Sequence, residues 1–343
     1  MKVGIIGCGK IAQTRHLPEY SVNPYAEIAG CYDFNFERAR QIAGQYGGKA
    51  YSSIEELLSD PQIDAVSVCV SNNAHAEISV KALKAGKHVL CEKPMATNLE
   101  DCENMVKMAD QTGKYLMIGQ NQRLVKAHRK AKELIRAGEI GKVLTFKTTF
   151  GHGGPETWSV DPGANTWFFD KKRAVMGAMA DLGVHKTDLL QFLFDTTISE
   201  TTAVMTTLDK RDGDGQLIGV DDNAICIYKM KNGIIGTMTA SWTYYGPEDN
   251  STVIYGTEGI MRIFDNPAYS IELYKKDGDI IRYNIGQIQT NDHQTSSGII
   301  DAFVDAVVNG HEPEISGKTV LPAMKAVFAS IASSQENRTI KIE

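Results

Sequence analysis

No stretch of the chain approaches the eighteen or more consecutive apolar residues that a bilayer-spanning helix needs. The short apolar run in 1–10 breaks at Gly7 and Gly9 and lacks a cleavage-type region, so neither a signal peptide nor a membrane anchor is expected. Lysine and arginine form no block. With 36 basic and 42 acidic residues the formal net charge is −6, which argues against nucleic acid or an anionic membrane surface as the main partner. Cysteine is scarce and scattered: Cys8, Cys31, Cys69, Cys91, Cys102 and Cys226 form no CxxC or other tight pair, and four lie in or beside apolar runs. Buried free thiols in a reducing compartment suit that pattern better than a disulfide framework or a zinc ribbon, and a cytoplasmic location is expected. Internal repeats and low-complexity segments are also missing. What is present is a 343-residue chain, 42% hydrophobic and 23% charged, long enough for two domains.

The first third alternates short apolar runs (3–7, 27–33, 65–70, 88–92 and 115–119) with helical stretches at 35–46, 53–59, 74–85 and 98–112. Near-continuous apolar runs of that length suit parallel strands covered on both faces, joined by right-handed βαβ crossovers into a doubly wound α/β sheet. A further helix is expected at 126–137. Beyond it the pattern changes to runs at 143–150, 224–230, 233–245, 251–256, 259–264 and 270–276. Turn signals such as Lys231-Asn232-Gly233 and Lys276-Asp277-Gly278 separate several of them. Helices near 185–194, 297–308 and 320–334 complete an α+β domain with a large, mainly antiparallel open sheet. The expected division is 1–122 for a Rossmann domain and 123–343 for a second domain, whose last segment is expected to return to the first. One face of the second sheet should meet helices and the other lie open, so a homodimer or homotetramer through that face is expected.

Gly7-Cys8-Gly9-Lys10-Ile11-Ala12 follows the first apolar run and opens a helical stretch, which is the GxGxxG/A arrangement with alanine in third place. Gly7 permits a tight turn, Gly9 lets a pyrophosphate approach the backbone, and Ala12 allows close helix–strand packing. Asp33 closes the second run where an acidic side chain would bind the adenosine ribose hydroxyls. A carboxylate there repels a 2′-phosphate, and Phe34 stands where an NADP site would prefer arginine, so NAD is expected over NADP. Arg38 is the nearest basic side chain and softens that preference. Asp33 as a turn or cap residue is the plainer alternative.

Two more groups carry chemistry. Cys91-Glu92-Lys93-Pro94 ends the fifth run, at the sheet edge where such folds bind ligands. A solvated surface charge is the ordinary reading of a lone lysine. In Asp181-Leu182-Gly183-Val184-His185-Lys186-Thr187-Asp188, a regular helix would put Asp181, His185 and Asp188 on one face. A helix-start acid with a satisfied histidine is one alternative, and a metal pair the weakest, since no third ligand is suitably spaced.

The chain resembles the glucose–fructose oxidoreductase / inositol dehydrogenase / MocA family of nicotinamide-dependent sugar and polyol oxidoreductases. The resemblance rests on Gly7–Ala12, on Ala85-Gly86-Lys87-His88-Val89-Leu90-Cys91-Glu92-Lys93-Pro94, on Asp181-x-Gly183-x-His185-x-x-Asp188, and on a tail with Ser316-Gly317 and Ile340-Lys341-Ile342. It implies a catalytic set of Lys93, His185 and Asp181, the last two facing the lysine from the second domain. It also implies Arg123 beside the substrate and His75 after the fourth strand. With Gly7, Cys8, Gly9, Lys10, Ile11, Ala12, Asp33, Phe34 and Arg38, the residues Ser71, Asn72, His75, Glu92 and Lys93 form the expected cofactor set. Two departures stand out: Ser71-Asn72-Asn73 replaces a family proline after the fourth strand, and Val175-Met176-Gly177 keeps one of three family glycines.

Oxidising a secondary alcohol removes a hydride and a proton. Histidine titrates near neutrality and suits the proton, while an ammonium stabilises developing alkoxide. His185 is therefore assigned as base, Lys93 as polariser and Asp181 as a hydroxyl ligand, with Lys93 itself as base the open alternative. The segment 151–173 offers Trp158 and Trp167 either as sugar platforms or as loop anchors, with His152, Asn165 and Asp170 as hydroxyl contacts. Lys171, Lys172 and Arg173 leave anionic sugars open. The expected function is NAD-dependent oxidation of a cyclic polyol or sugar. An NADP-dependent carbonyl reductase comes second, and a non-catalytic dinucleotide-binding regulator, which would be expected to lack Lys93 or His185, comes third.

Overall fold

The computed structural model describes residues 1–286 and 296–343. It divides into two compact units: Met1–Asn121 with Trp158–Asp161 and the segment ending at Leu321, and Gln122–Thr157 with Pro162–Ile288 and Pro322–Glu343.

The first unit is built on strands β1 (Lys2–Ile6), β2 (Glu27–Tyr32), β3 (Lys49–Ala50), β4 (Ala65–Val68), β5 (His88–Cys91) and β6 (Leu116–Ile118). They lie in the order β3-β2-β1-β4-β5-β6 and every neighbouring pair is parallel. This is the doubly wound dinucleotide-binding order, with its switch point between β1 and β4. The apolar runs are buried on both faces, as at Ala65–Val68, because helices cover each side. Those helices are α1 (Leu17–Val22), α2 (Phe36–Tyr46), α3 (Ile54–Ser59), α4 (His75–Lys84) and α5 (Leu99–Thr112). Side-chain oxygens of Asn35, Ser53 and Asn98 accept from the backbone amides of Arg38, Glu56 and Asp101, which fixes three of the starts. Gly113, at φ 65°, ends α5 in the left-handed conformation. Before α1 the helix opens with a π-turn over Ala12–His16, which the sequence pattern does not announce.

The second unit carries α6 (Lys126–Arg136), β7 (Val143–Gly151), α7 (Lys171–Ala174), α8 (Val184–Phe194), β8 (Ile198–Thr206), β9 (Asn223–Met230), β10 (Ile235–Ser241), β11 (Thr252–Gly256), β12 (Gly259–Asn266), β13 (Tyr269–Lys275) and β14 (Ile280–Tyr283). Helix α9 (Ile299–Asn309) belongs to the first unit, and α10 (Gly317–Glu336) and β15 (Ile340–Lys341) follow it in the chain. The nine-stranded order is β14-β13-β12-β11-β7-β10-β9-β8-β15. Its pairs are antiparallel except β7 with β10, so the sheet is mixed and mainly antiparallel. Along β9, Ala224, Cys226, Tyr228 and Met230 are buried while Ile225 and Ile227 are exposed; that alternation marks one packed and one open face. Strands β8 and β14 lie outside the expected runs: Ile198–Thr206 is rich in threonine, and Ile280–Tyr283 is short. The 233–245 run is a strand only over β10. All six cysteines are free and buried. Among the described residues no helix is long and apolar enough to cross a membrane.

Candidate active site

In the first unit the glycine turn follows β1 directly. Gly7 takes φ 91°, and a Cβ there would lie 2.5 Å from the Cys69 carbonyl oxygen, so the turn excludes any side chain. At Gly9 the Cβ direction opens onto empty space, the access a phosphate group needs. Asp33, just past β2, accepts from Cys8 N at Oδ2 (2.7 Å) and from Asn35 N at Oδ1 (2.8 Å). Its carboxylate thus ties the glycine turn to the start of α2. Each oxygen keeps a second acceptor lone pair, so this bracing is compatible with a ribose contact. Phe34 is 99% exposed beside it. Arg38 lies 3.6 Å from Asp33 Oδ1. This donor set, with a side-chain-free Gly9 before a helix start, fits a dinucleotide.

At the end of β5 the structure adds residues that the sequence reading did not single out. The π-turn turns Arg15 and His16 inward onto Glu92, and all three are buried. Arg15 Nη1 donates to Glu92 Oε1 (3.2 Å), as does His16 Nε2 (2.9 Å). His16 Nδ1 meets Ser67 Oγ at 3.2 Å, and Tyr20 OH meets the same oxygen at 2.9 Å. Burial alone would raise the Glu92 carboxyl, but the His16 hydrogen bond and the Arg15 charge outweigh it and hold the group well below the usual carboxylate range. Glu92 Oε2 in turn accepts from the backbone amide of Lys93 at 3.2 Å. Gly119 on the neighbouring strand end leaves room for the carboxylate, since a Cβ there would sit 2.9 Å from Oε2. Lys93 is half-buried, and the Lys93–Pro94 peptide is cis. His75 bridges the adjacent strand ends: Nδ1 donates to Pro94 O (2.7 Å) and Nε2 lies 3.1 Å from Val70 O. Burial pushes its pKa down.

In the second unit, Asp181 and His185 are both buried. Asp181 lies in a second π-turn, Met179–Gly183, which runs on into α8. The extra residue in that turn breaks the regular i, i+4, i+7 register. Asp181 Oδ2 accepts from the Trp242 indole (Nε1, 3.0 Å), whereas Asp188 receives Arg123 at both oxygens, with Nε at 2.7 Å from Oδ2. Asp188 and Arg123 thus form a buried fork-to-fork pair, a placement that the expectation of Arg123 beside substrate did not include. The His185 ring lies 6.1 Å from that of Phe150, which meets His152 edge-on at 6.0 Å. Lys186 is fully buried; Nζ donates to Asn250 O (2.8 Å), and burial pushes the amine down to about 7 against the pull of Asp249 and Glu248.

The segment before this helix is anchored rather than loose. Lys210 donates to Gly153 O and to Glu156, holding the turn beside His152, whose Nδ1 accepts from Gly154 N (3.0 Å). Trp167 stacks on Phe168 at 3.9 Å, and Phe168 and Phe169 meet the Trp242 ring. Trp158 groups with the first unit. Asp170 caps α7 by accepting from Lys172 N (2.9 Å). Gly177 is the glycine that could not be replaced: a Cβ would lie 1.8 Å from Asp221 O, while Asp221 accepts from Gly177 N and Met179 N at 2.7 Å each. Val175, where a glycine is common in the family resembled, takes φ 65° and ψ −45°. Trp242, Arg15 and His16 carry no motif signal in the sequence: Arg15 and His16 follow Gln13 and Thr14 in a polar stretch, and Trp242 stands between Ser241 and Thr243. Among the described residues no group of three His, Cys, Asp or Glu is placed to hold a metal ion.

Comparison with known proteins converges on one family. Residues 1–120 match the model described as "Oxidoreductase family, NAD-binding Rossmann fold". Residues 128–262 match the GFO/IDH/MocA C-terminal domain. The chain is 28% identical to myo-inositol 2-dehydrogenase of Thermotoga maritima over 356 residues, covering 100% of this chain and 99% of that protein. To levoglucosan dehydrogenase of Pseudarthrobacter phenanthrenivorans it is 31% identical over 286 residues, covering 76% and 72%. The crystal structure of aldose-aldose oxidoreductase from Caulobacter crescentus, solved with glycerol, superposes with a TM-score of 0.85 at 23% identity, covering 100% and 99%, which speaks to the fold. With its glycine turn, its EKP strand end and its DxGxHxxD helix in place, the chain belongs to the GFO/IDH/MocA family and is an oxidoreductase with an NAD-binding Rossmann domain.

Proposed function

We propose that this oxidoreductase uses NAD to oxidise a secondary hydroxyl of a cyclic polyol or sugar, or reduces the corresponding carbonyl. The observation that carries the reading is the Glu92 network: three buried groups fix the strand end from which Lys93 projects, at the same sheet edge as the glycine turn and Asp33. Such fixing suits a catalytic group and is wasted on a solvated surface lysine. The names of the relatives, inositol and levoglucosan dehydrogenases, support a polyol or sugar as substrate.

Gly7, Cys8, Gly9, Lys10, Ile11 and Ala12 would hold the pyrophosphate, and Asp33, Phe34 and Arg38 the adenosine end. Ser71, Asn72, His75 and Glu92 complete the cofactor set. When bound, the nicotinamide accepts or returns the hydride. His185 takes the hydroxyl proton, Lys93 stabilises the developing negative charge on oxygen, and Asp181, oriented by Trp242, binds a hydroxyl. Arg123 completes the substrate set through its hold on Asp188. Val204, Ile225, Ile227 and Ile235, exposed on the open sheet face, suit self-association as a dimer or tetramer. Light scattering at two or four times the monomer mass would match that state. The buried free thiols suit a reducing, cytoplasmic setting.

The test is calorimetric titration with NADH and NADPH, followed by a polyol and sugar panel read at the nicotinamide absorbance. Lys93→Ala is expected to keep dinucleotide affinity while kcat falls by about 10²- to 10⁴-fold. An unchanged kcat would remove Lys93 from the mechanism, and no binding of either dinucleotide would sink the reading.

A further inference from the structure

The first unit includes a four-residue piece of the 151–173 segment, Trp158–Asp161, and that piece ends on a carboxylate beside the nucleotide-binding turn. Arg38 Nη2 donates to Asp161 Oδ1 at 3.3 Å and lies 3.5 Å from Oδ2, while Nη1 lies 3.6 Å from Asp33 Oδ1. One guanidinium is therefore held between two carboxylates. The turn that presents Asp161 is fixed from within: buried Ser159 donates from Oγ to the Asp161 carbonyl at 3.0 Å. The next basic side chain along α2, Arg40, pairs with Glu37 at 3.1 Å.

We propose that Asp161 is a cofactor-selectivity residue, which by occupying Arg38 withholds the guanidinium from an adenosine 2′-phosphate and makes the protein prefer NAD to NADP. The inference rests on the reading of this unit as the dinucleotide site and adds a residue to it. An arginine just past an acidic strand end is the group expected to accommodate a 2′-phosphate. Left to itself, Arg38 would draw that phosphate through charge-assisted hydrogen bonds and offset the repulsion from Asp33. With Asp161 in place, the two carboxylates and one guanidinium sum to a formal charge of −1. A phosphorylated ribose must then displace the Asp161 carboxylate from Arg38 before it can use the guanidinium. An unphosphorylated ribose brings no charge and needs no guanidinium.

Asp161 acts through Arg38, so the decisive readout is the ratio of two affinities rather than turnover. Calorimetric titration with NAD⁺ and NADP⁺ would be run on the full chain, Asp161→Asn, Arg38→Met and the double variant. Asp161 is on the surface, with its side chain 70% exposed, so its substitution leaves the core intact. Asp161→Asn is expected to tighten NADP⁺ by about five-fold or more while moving NAD⁺ by less than about two-fold. In the Arg38→Met background the same change should do nothing, which is the signature of a coupled pair. Asp161→Glu should restore the original ratio. If the protein binds NAD⁺ and Asp161→Asn leaves the NADP⁺ to NAD⁺ ratio unchanged, the proposal is overturned and the NAD reading stands. A gain that persists without Arg38 also overturns it. Binding of neither dinucleotide by the unaltered chain would remove both.

Discussion

Each unit fixes one buried carboxylate beside a candidate catalytic residue, and the two do it differently. Glu92 is held by a charged partner: Arg15 and His16 meet one oxygen and the Lys93 amide meets the other. Asp181 is oriented by the neutral indole of Trp242, itself packed against Phe168 and Phe169. In the first unit, orientation is inseparable from the electrostatic integrity of the fold. In the second, it depends on aromatic packing with one polar handle. Where ions hold ions in a dry interior, losing one leaves its partners uncompensated, whereas a lost neutral donor leaves only one acceptor short.

Glu92→Gln is the sharpest way to test this contrast. It removes the buried negative charge that Arg15 meets and should cost about 3–5 kcal/mol in urea unfolding, as well as turnover. The Glu92 carboxyl titrates below its ordinary 4.5 in the fold. The unfolded chain therefore takes up the proton first, and the stability that Glu92 contributes is complete above that value and lost as pH falls through the lowered one. The wild type's advantage over the variant should accordingly shrink in acid. An advantage that holds at low pH would mean the carboxylate is not the source.

Trp242→Phe should cost less and show it elsewhere. The ring is kept and the donor to Asp181 removed, so kcat/KM should fall by about ten-fold with about 1–2 kcal/mol of stability. If the two substitutions proved equally destabilising, the contrast between the units would collapse.

The smallest effect is expected at Val175, and it has the opposite sign. A β-branched side chain at φ 65°, ψ −45° is strained, so Val175→Gly should stabilise by about 1 kcal/mol after allowing for glycine's greater freedom when unfolded. A lower urea midpoint would show instead that the valine contributes packing that outweighs the strain.

The same division governs how much could be read from sequence. In the first unit, strands buried on both faces write themselves as apolar runs, and the caps at Asn35, Ser53 and Asn98 mark helix starts. In the second, β8 escaped because a strand with one solvent face and many threonines has no such run. Glu92, Lys93, Asp181 and His185 were legible as motif residues. Their supports were not: Arg15 and His16 read as the polar side of a helix until a π-turn aims them inward, and the Asp181–Trp242 bond joins residues 61 apart in sequence. Arg123 was legible, but its pairing with Asp188 was not, because a bond between residues 65 apart leaves no mark in local spacing.

The extra residue of a π-turn recurs. Both helices that open beside the motif residues begin with a π-turn, Ala12–His16 in one unit and Met179–Gly183 in the other. A π-turn is a one-residue insertion that a helix absorbs without ending. When relatives with unbroken helices are aligned to this chain, the single gap in each of these segments belongs inside the π-turn. Moved elsewhere, it would pair Arg15, His16 or Asp181 with residues that do not occupy their places in the fold.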